Sequence, residues 1–305
     1  MARRQITVRQ LEILDAVGRE GSVTAAAASL HLTQPAVSMQ IKQLESQLEM
    51  ALFEPVGRGL QITEPGRELA GQAGELLRNL DDFEQTARQL RGVQRGRVRL
   101  GVVSTAKYFA PRLLARFLEA HAGLDFKLNV FNREQIIEQL QSYSIDLGIM
   151  GQPPEGSNLL GTPFAPNPLA IVAAPTHPYS RRANLGPEDL EQERFIVREA
   201  GSGTRQAMDR YFADAAVTIV PAMEVDSNET IKQAVMAGIG IGFLSLHTVR
   251  LELATGKLVQ LPVQGLPLRR QWYVVRTRQR RLTPAASEFL EFMLHEADDL
   301  MRASL

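Results

Sequence analysis

The chain has 305 residues, 44% of them hydrophobic, which is more than one typical domain and enough to bury a sizeable core. Thirty-four basic side chains against 34 acidic ones give zero formal net charge, so any affinity for a polyanion must be local. The absence of cysteine excludes disulfides, thiolate metal sites and cysteine nucleophiles together, and fits a cytoplasmic setting.

The first residues are basic, but Glu12, Asp15, Arg19 and Glu20 interrupt any apolar run, and no stretch reaches the roughly 18 apolar residues of a spanning helix. The chain is therefore expected to be neither exported nor embedded in a membrane. From Val8, Leu11, Leu14 and Val17 follow a helical period that Gly18 and Gly21 break. Ser22 suits the N-cap of a second helix through Ala25–Ala28 to Leu30. A connection at His31 and Leu32 follows, with His31 tolerant of positive φ. Thr33 as N-cap and Pro35 in the first turn then open a third helix near Gln34. In that helix Val37, Ile41, Leu44 and Leu48 form one stripe, while Gln34, Ser38 and Lys42 lie on another face. Two helices on a short turn, the second offering amides, a hydroxyl and a lysine, make a helix-turn-helix. Val56 to Thr63 reads as a small wing containing Gly57, Arg58 and Gly59.

From Pro65 to Leu90 the positions Leu69, Ala73, Leu76, Leu80, Phe83, Ala87 and Leu90 alternate spacings of four and three, a heptad seam. About 26 residues at about 1.5 Å rise would span about 39 Å and could hold two DNA-reading units apart. The alternative is an amphipathic helix packed on its own domain. Residues 91–96, rich in Gly and Arg, read as a hinge. Strands and helices then alternate: Val98–Val103, Tyr108–Ala120, Phe126–Phe131, Glu134–Tyr143 and Ile145–Met150, the signature of a parallel α/β sheet. A second run comprises Phe195–Val197, Thr204–Ala213, Ala222–Val225, Glu229–Ala237 and Ile241–Leu244. Pro163, Pro166 and Pro168 mark one crossing between two lobes, and Gly265 with Pro267 the return. A strand Arg270–Val275 and a helix Pro284–Asp298 complete the chain.

The run Ser22–Glu45, with Leu52-Phe53 and Leu60-Gln61-Ile62-Thr63-Glu64-Pro65-Gly66, resembles the DNA-binding half of the LysR family of bacterial regulators. Two departures stand out. Glu49 occupies a place where the family commonly has a turn glycine, which puts that turn in doubt, and Pro55 one where it commonly has arginine, which weakens a phosphate contact. Farther on, Val102–Tyr108, Ile149–Pro154, Gly201–Arg205, Ser227–Gly238 and Trp272–Val275 are similar to the regulators of Calvin-cycle (RuBisCO) operons, the CbbR type. The resemblance implies a winged helix-turn-helix over 1–63, a linker and dimerisation helix over 64–92, and a two-lobed α/β effector domain of the periplasmic-binding-protein type over 93–305. Lobe I would comprise about 93–164 and 268–305, lobe II about 165–267. It also implies control of carbon-fixation genes, a homodimer or homotetramer, RNA polymerase as a further partner, and a phosphorylated Calvin-cycle metabolite or NADPH as effector, with no cofactor.

Double-stranded DNA is the expected macromolecular partner. Thr24, Thr33, Gln34, Pro35, Ser38, Lys42 and Arg58 are the candidate contacts, because their donors, acceptors and apolar edges suit base edges and phosphates. Charge alone would point elsewhere. Residues 1–66 hold six basic side chains (Arg3, Arg4, Arg9, Arg19, Lys42, Arg58) against seven acidic ones, which are Glu12, Asp15, Glu20, Glu45, Glu49, Glu54 and Glu64. For the effector, Ser104, Thr105 and Lys107 follow a strand and precede a helix, an anion-friendly arrangement. Ser202, Gly203, Thr204 and Arg205 do the same in the second lobe, and Asn132, Arg133 and Asn228 also follow strands. Lys107, Arg133 and Arg205 are the cations suited to phosphate.

The five histidines, His31, His121, His177, His247 and His295, have no metal-ligand spacing, and Ser202 lacks a Gly-x-Ser-x-Gly context. No enzyme is expected. Other readings remain open: a LysR-type regulator of a different pathway, a solute-binding protein, which would need an export signal, and an enzyme acting on a phosphorylated substrate, which would show turnover.

Overall fold

The computed structural model describes residues 6–56, 59–90 and 96–302. They form two compact units, one ending at residue 90 and the other starting at residue 96.

In the first unit Thr7 opens helix α1 (Val8–Glu20) with a capping box: its hydroxyl accepts the Gln10 N–H, and the Gln10 side chain accepts the Thr7 N–H. Gly21 ends the helix in the left-handed conformation. Ser22 caps α2 (Val23–Ser29) by accepting the Ala25 N–H at 3.3 Å. His31 takes φ of 55° in the connection, and α3 (Gln34–Leu48) follows with Pro35 in its first turn. Thr33 precedes α3 as expected, but its hydroxyl makes no cap bond. Val37, Ile41 and Leu44 are buried against Ile13, Val17 and Ala26.

The turn after α3 forms despite lacking glycine, because Glu49 itself adopts φ of 55° and its N–H reaches the Glu45 carbonyl. A non-glycine residue pays about 1 kcal/mol for this conformation. Glu49→Gly is therefore expected to raise the stability of the unit by about 0.5–1 kcal/mol in urea unfolding; no gain would mean the Glu49 side chain offsets its own strain. Strands β1 (Phe53–Val56) and β2 (Gly59–Ile62) pair antiparallel with Pro55 opposite Leu60; Gly57 and Arg58, between them, lie outside the described residues.

The first turns of helix α4 (Glu64–Leu90) match the reading of a helix packed on its own domain. Leu69, Ala70 and Ala73 pack into the core of their own unit, whereas farther along the same helix Leu76, Leu80 and Phe83 are 54%, 38% and 71% exposed. At its start the backbone runs so close to the preceding segment that a Cβ on Gly66 would collide with the Leu52 carbonyl oxygen. The expected hinge, apart from Gly96, lies outside the described residues.

The second unit is one continuous sheet covered by helices on both faces. Its elements are β3 (Gly96–Val103), α5 (Ala110–Ala120), β4 (Leu124–Phe131), α6 (Arg133–Gln141), β5 (Leu147–Met150), β6 (Leu159–Ala173), β7 (Phe195–Arg198), α7 (Gly203–Asp214), β8 (Pro221–Val225), α8 (Asn228–Met236), β9 (Ile241–Ser245), α9 (Arg250–Ala254), β10 (Val259–Gln260), β11 (Leu268–Thr277), α10 (Pro284–His295) and α11 (Ala297–Arg302). The strand order is β4-β3-β5-β11-β6-β9-β7-β8, with β10 beside β6. β3, β4 and β5 are parallel, as are β7, β8 and β9; the long strands β6 and β11 run antiparallel to each other and to their outer neighbours and are shared by both halves.

The proline-rich crossing is thus itself a strand. The Pro168 carbonyl accepts the Leu246 N–H at 2.9 Å and that of Pro166 the His247 Nε2–H at 3.0 Å, so both prolines turn their missing N–H away from β11 and leave that ladder intact. Phe164 is the extra residue of a bulge, since Trp272 pairs with Ala165 and Tyr273 with Pro163. The expected helix at Tyr108 is a 3-10 turn (Ala106–Tyr108) followed by α5. Separate cores flank the sheet: one around Leu113, Phe117, Trp272 and Phe289, another around Phe195, Met208 and Phe212. Among the described residues no helix is long and apolar enough to cross a membrane, and no cluster of His, Asp or Glu could hold a metal ion.

Candidate ligand cavity and nucleic-acid interface

In the first unit the burial of Val37, Ile41 and Leu44 turns the opposite side of α3 outward. Gln34, Pro35 and Lys42 are exposed there, Ser38 is half-buried, and Thr24 on α2 and Thr33 before α3 are exposed as well. Arg58 falls outside the described residues.

The negative charge of this region is resolved by where its carboxylates sit. Glu45, the one acid within α3, turns Oε1 to the N–H groups of Leu52 and Phe53 at 2.8 and 3.0 Å, tying the helix to the hairpin. Asp15 and Glu20 pair with Arg19, and Glu12 pairs with Arg9. The outer face of the first three turns of α3 therefore carries one cation and no carboxylate.

In the second unit a cleft enclosing about 530 Å³ of space, partly open to solvent, lies where β6 and β11 pass between the two halves of the sheet. Seven expected residues line it: Ser104, Thr105, Asn132, Arg133, Ser202, Gly203 and Thr204. The starts of α6 and α7 both reach the cleft, bringing the positive ends of two helix dipoles together. Asn132 caps α6, accepting the Gln135 N–H at 2.8 Å, and Ser202 caps α7, accepting the Thr204 N–H at 3.3 Å.

Three expected residues are placed elsewhere. Lys107 is exposed, with its ammonium 5.4 Å from the Tyr108 ring centre. Arg205 is held by Asp209 and Glu224 at 3.0 and 2.9 Å; burial by itself lowers its pKa, but the hydrogen bonds and charges of the two carboxylates together outweigh it and hold the pKa above the ordinary value. Asn228 is fully buried behind the cleft, accepting from Arg198 Nη1 at 2.9 Å and donating to Ser104 Oγ at 3.3 Å. It connects two lining residues without lining the space itself.

Sequence reading missed Arg198, Glu199, Asn167, Arg270 and Trp272, all of which line the cleft. Arg198 is neutralised on the spot: Nε and Nη2 donate to the two Glu199 oxygens at 2.7 and 2.8 Å. Arg270 and Arg133 are not. Arg270 donates to the Gly203 carbonyl at 2.8 Å and Arg133 to the Gln152 carbonyl at 3.1 Å, and neither forms an ion pair among the described residues. Burial, with the charges of Arg133 and Arg210 added, pushes the Arg270 pKa down. The cleft thus holds two cations in mutual repulsion, a condition that an incoming anion relieves. The only available signal was an arginine interrupting the pleat of an otherwise half-buried strand.

Two family models match the chain: "Bacterial regulatory helix-turn-helix protein, lysR family" over residues 8–67 and "LysR substrate binding domain" over residues 91–298. A RuBisCO operon transcriptional regulator of Allochromatium vinosum is 46% identical over 292 residues, covering 96% of this chain and 97% of that protein. The regulatory domain of Synechocystis PCC6803 CcmR, solved in complex with 2-PG, superposes with a TM-score of 0.63 at 40% identity, covering 66% of this chain and 96% of that one. Full-length CbnR, solved with its target DNA, gives a TM-score of 0.70 at 19% identity over 98% and 100% of the two chains, a likeness of fold alone.

Proposed function

Because the chain belongs to the LysR family of bacterial transcription regulators, we propose that it controls carbon-fixation (Calvin-cycle) genes in response to a small phosphorylated acid bound in the cleft between Arg133 and Arg270. The observation that carries this reading is the pair of guanidinium groups without acid partners, flanked by the starts of α6 and α7. The 2-PG complex of the CcmR domain and the RuBisCO-operon relative support the ligand class and the pathway. The two anchors favour a compact phosphorylated acid over NADPH. Reversible binding without turnover is the expected chemistry, as the family of transcription regulators implies.

The DNA contacts fall to the outer face of α3, with Gln34, Pro35 and Ser38 toward base edges, Lys42 toward phosphate, and Thr24, Thr33 and Arg58 flanking them. The exposed seam of Leu76, Leu80 and Phe83 on α4 supports a homodimer joined through this helix, and pairs of dimers would form the homotetramer. RNA polymerase would be the downstream partner, and the cytoplasm the setting. The effector would shift a population between two sensor conformations and so alter the spacing of the DNA-binding pairs.

Calorimetric titration with 2-phosphoglycolate, ribulose-1,5-bisphosphate, phosphoenolpyruvate and NADPH tests the ligand. Saturable binding to none of them would remove the assignment to carbon fixation. Gel-shift titration on the RuBisCO promoter of the source organism tests the DNA face. Gln34→Ala should cost about 1–3 kcal/mol on that promoter and much less on random DNA, whereas Lys42→Ala should weaken both alike. Equal losses for the two variants on both DNAs would contradict this division of roles.

A further inference from the structure

A second, shallow pocket, about 390 Å³ when the adjoining open solvent is counted, lies between α5 and α11 on one side and the segment from His247 to Arg250 on the other. Its apolar lining comes from Phe109, Leu113, Leu300 and Met301. Its charge comes from Arg112 on α5 and Arg250 at the start of α9, both exposed and both without an ion pair or side-chain hydrogen bond among the described residues.

Several acids of the surrounding elements are already occupied, among them Asp298 on α11, which pairs with Arg302 at 2.8 Å. Glu252 on α9 and Glu229 on α8 both hold the Lys232 ammonium, at 2.9 and 2.8 Å, and Glu229 also accepts from Gln233 and from the Tyr108 hydroxyl. On α5 Glu119 pairs with Arg116. His247, at the same cavity, donates Nε2–H to the Pro166 carbonyl, and burial, with Arg250 adding to it, holds its pKa below the ordinary histidine value. Two unpaired guanidinium groups above a floor of phenyl, leucine and methionine side chains are complementary to an oxyanion carried on a hydrocarbon body.

We propose that this cavity is a second ligand site, taking a small organic acid whose phosphate or carboxylate lies between Arg112 and Arg250 and whose apolar part rests on Phe109, Leu113 and Met301. The ligand would bridge the two halves of the sensor, because α5 packs beside β3 and β4 whereas α9 follows β9. It would also be coupled to the cleft. Phe109 lines the second cavity and meets Trp272 edge-on at 5.1 Å, and Trp272 lines the cleft.

Trp272 is the only tryptophan of the chain, so its fluorescence reports on both sites in the intact protein. The probe is phenyl phosphate, with inorganic phosphate as the comparison lacking a hydrocarbon part. In a chain whose cleft is disabled by R133Q and R270Q, phenyl phosphate should still give a saturable change, and adding R112Q and R250Q should weaken it about tenfold or more. Inorganic phosphate should bind that chain about tenfold more weakly than phenyl phosphate, since it leaves the apolar floor uncovered.

Arg112 and Arg250 are exposed, so their replacement leaves the fold intact. Should the cleft variant fail to fold, hydrogen exchange on the unaltered chain gives the second readout, with phenyl phosphate protecting the segments around residues 108–113 and 298–302. The proposal is overturned if the R112Q/R250Q replacement leaves the titration unchanged, or if those segments gain no protection at saturation. Its failure is separable from that of the cleft, because 2-phosphoglycolate should bind the R112Q/R250Q chain as it binds the unaltered one.

Discussion

Replacing Arg133 and Arg270 together by glutamine is expected to weaken binding of 2-phosphoglycolate to the cleft by about two to three orders of magnitude. A charge-assisted hydrogen bond contributes about 1.5–3 kcal/mol, so loss of one from each guanidinium totals about 3–6 kcal/mol, of which the lower half is expected in a cleft partly open to solvent. Both arginines face the cleft without an acid partner among the described residues, so no ion pair there compensates for their charge. The variant should fold at least as well as the parent, because removing two like charges relieves the repulsion that lowers the Arg270 pKa. Lys107→Ala with Arg205→Ala is the informative contrast. These two cations looked equally suitable in the sequence, yet one is exposed on Tyr108 and the other is fastened to Asp209 and Glu224. That pair should change affinity about threefold or less, the scale of screened, distant charges. Calorimetry on both variants decides the matter, and a larger loss for the Lys107/Arg205 pair would relocate the ligand.

Asp146→Asn should destabilise the sensor by about 3 kcal/mol, which for a unit of this size lowers the melting temperature by about 10 °C. Asp146 is 5% exposed and joins several donors at the edge between β3 and β5. One of its oxygens accepts the Arg99 backbone N–H at 2.7 Å; the other accepts Arg99 Nη2 at 2.7 Å and lies 3.4 Å from Arg280 Nη2. An amide in its place would offer one acceptor where a carboxylate offers two and would turn an N–H toward guanidinium donors. Two largely buried guanidinium groups would then lose a carboxylate partner. Chemical unfolding of the Asp146→Asn chain that shifts by less than about 1 kcal/mol would show that this cluster is screened well enough to be dispensable.

The DNA-binding unit was largely legible in the sequence because its signals are local. Caps, short turns and the stripe Val37, Ile41 and Leu44 are written within a few residues of the helices they define, and Ser22 caps where its position implied. Glu49 shows the limit of reading by substitution: the left-handed turn survives without glycine because the strain of one residue is smaller than the packing that surrounds it. The heptad seam on α4 left two readings open in the sequence; Ala73 is buried in its own unit, whereas Phe83 is exposed.

The alternation of strands and helices, and the strand-end positions of Ser104, Asn132 and Ser202, likewise followed from sequence alone, since a parallel sheet places those loops at one edge. What only the tertiary structure decided is which charges are left over. Arg205, Arg198 and Arg270 are alike as residues. The fold sets carboxylates against the first two and a carbonyl and another cation against the third. Those partners come from β8, from the residue after β7 and from α7, brought near by a strand order that pairs β11 with β6 across both halves of the sheet. Local pattern fixes where a side chain can point and supplies some partners, Glu199 beside Arg198 and Asp209 one turn from Arg205. Glu224 against Arg205 and the Gly203 carbonyl against Arg270 are distant in sequence, and only the folded chain supplies them.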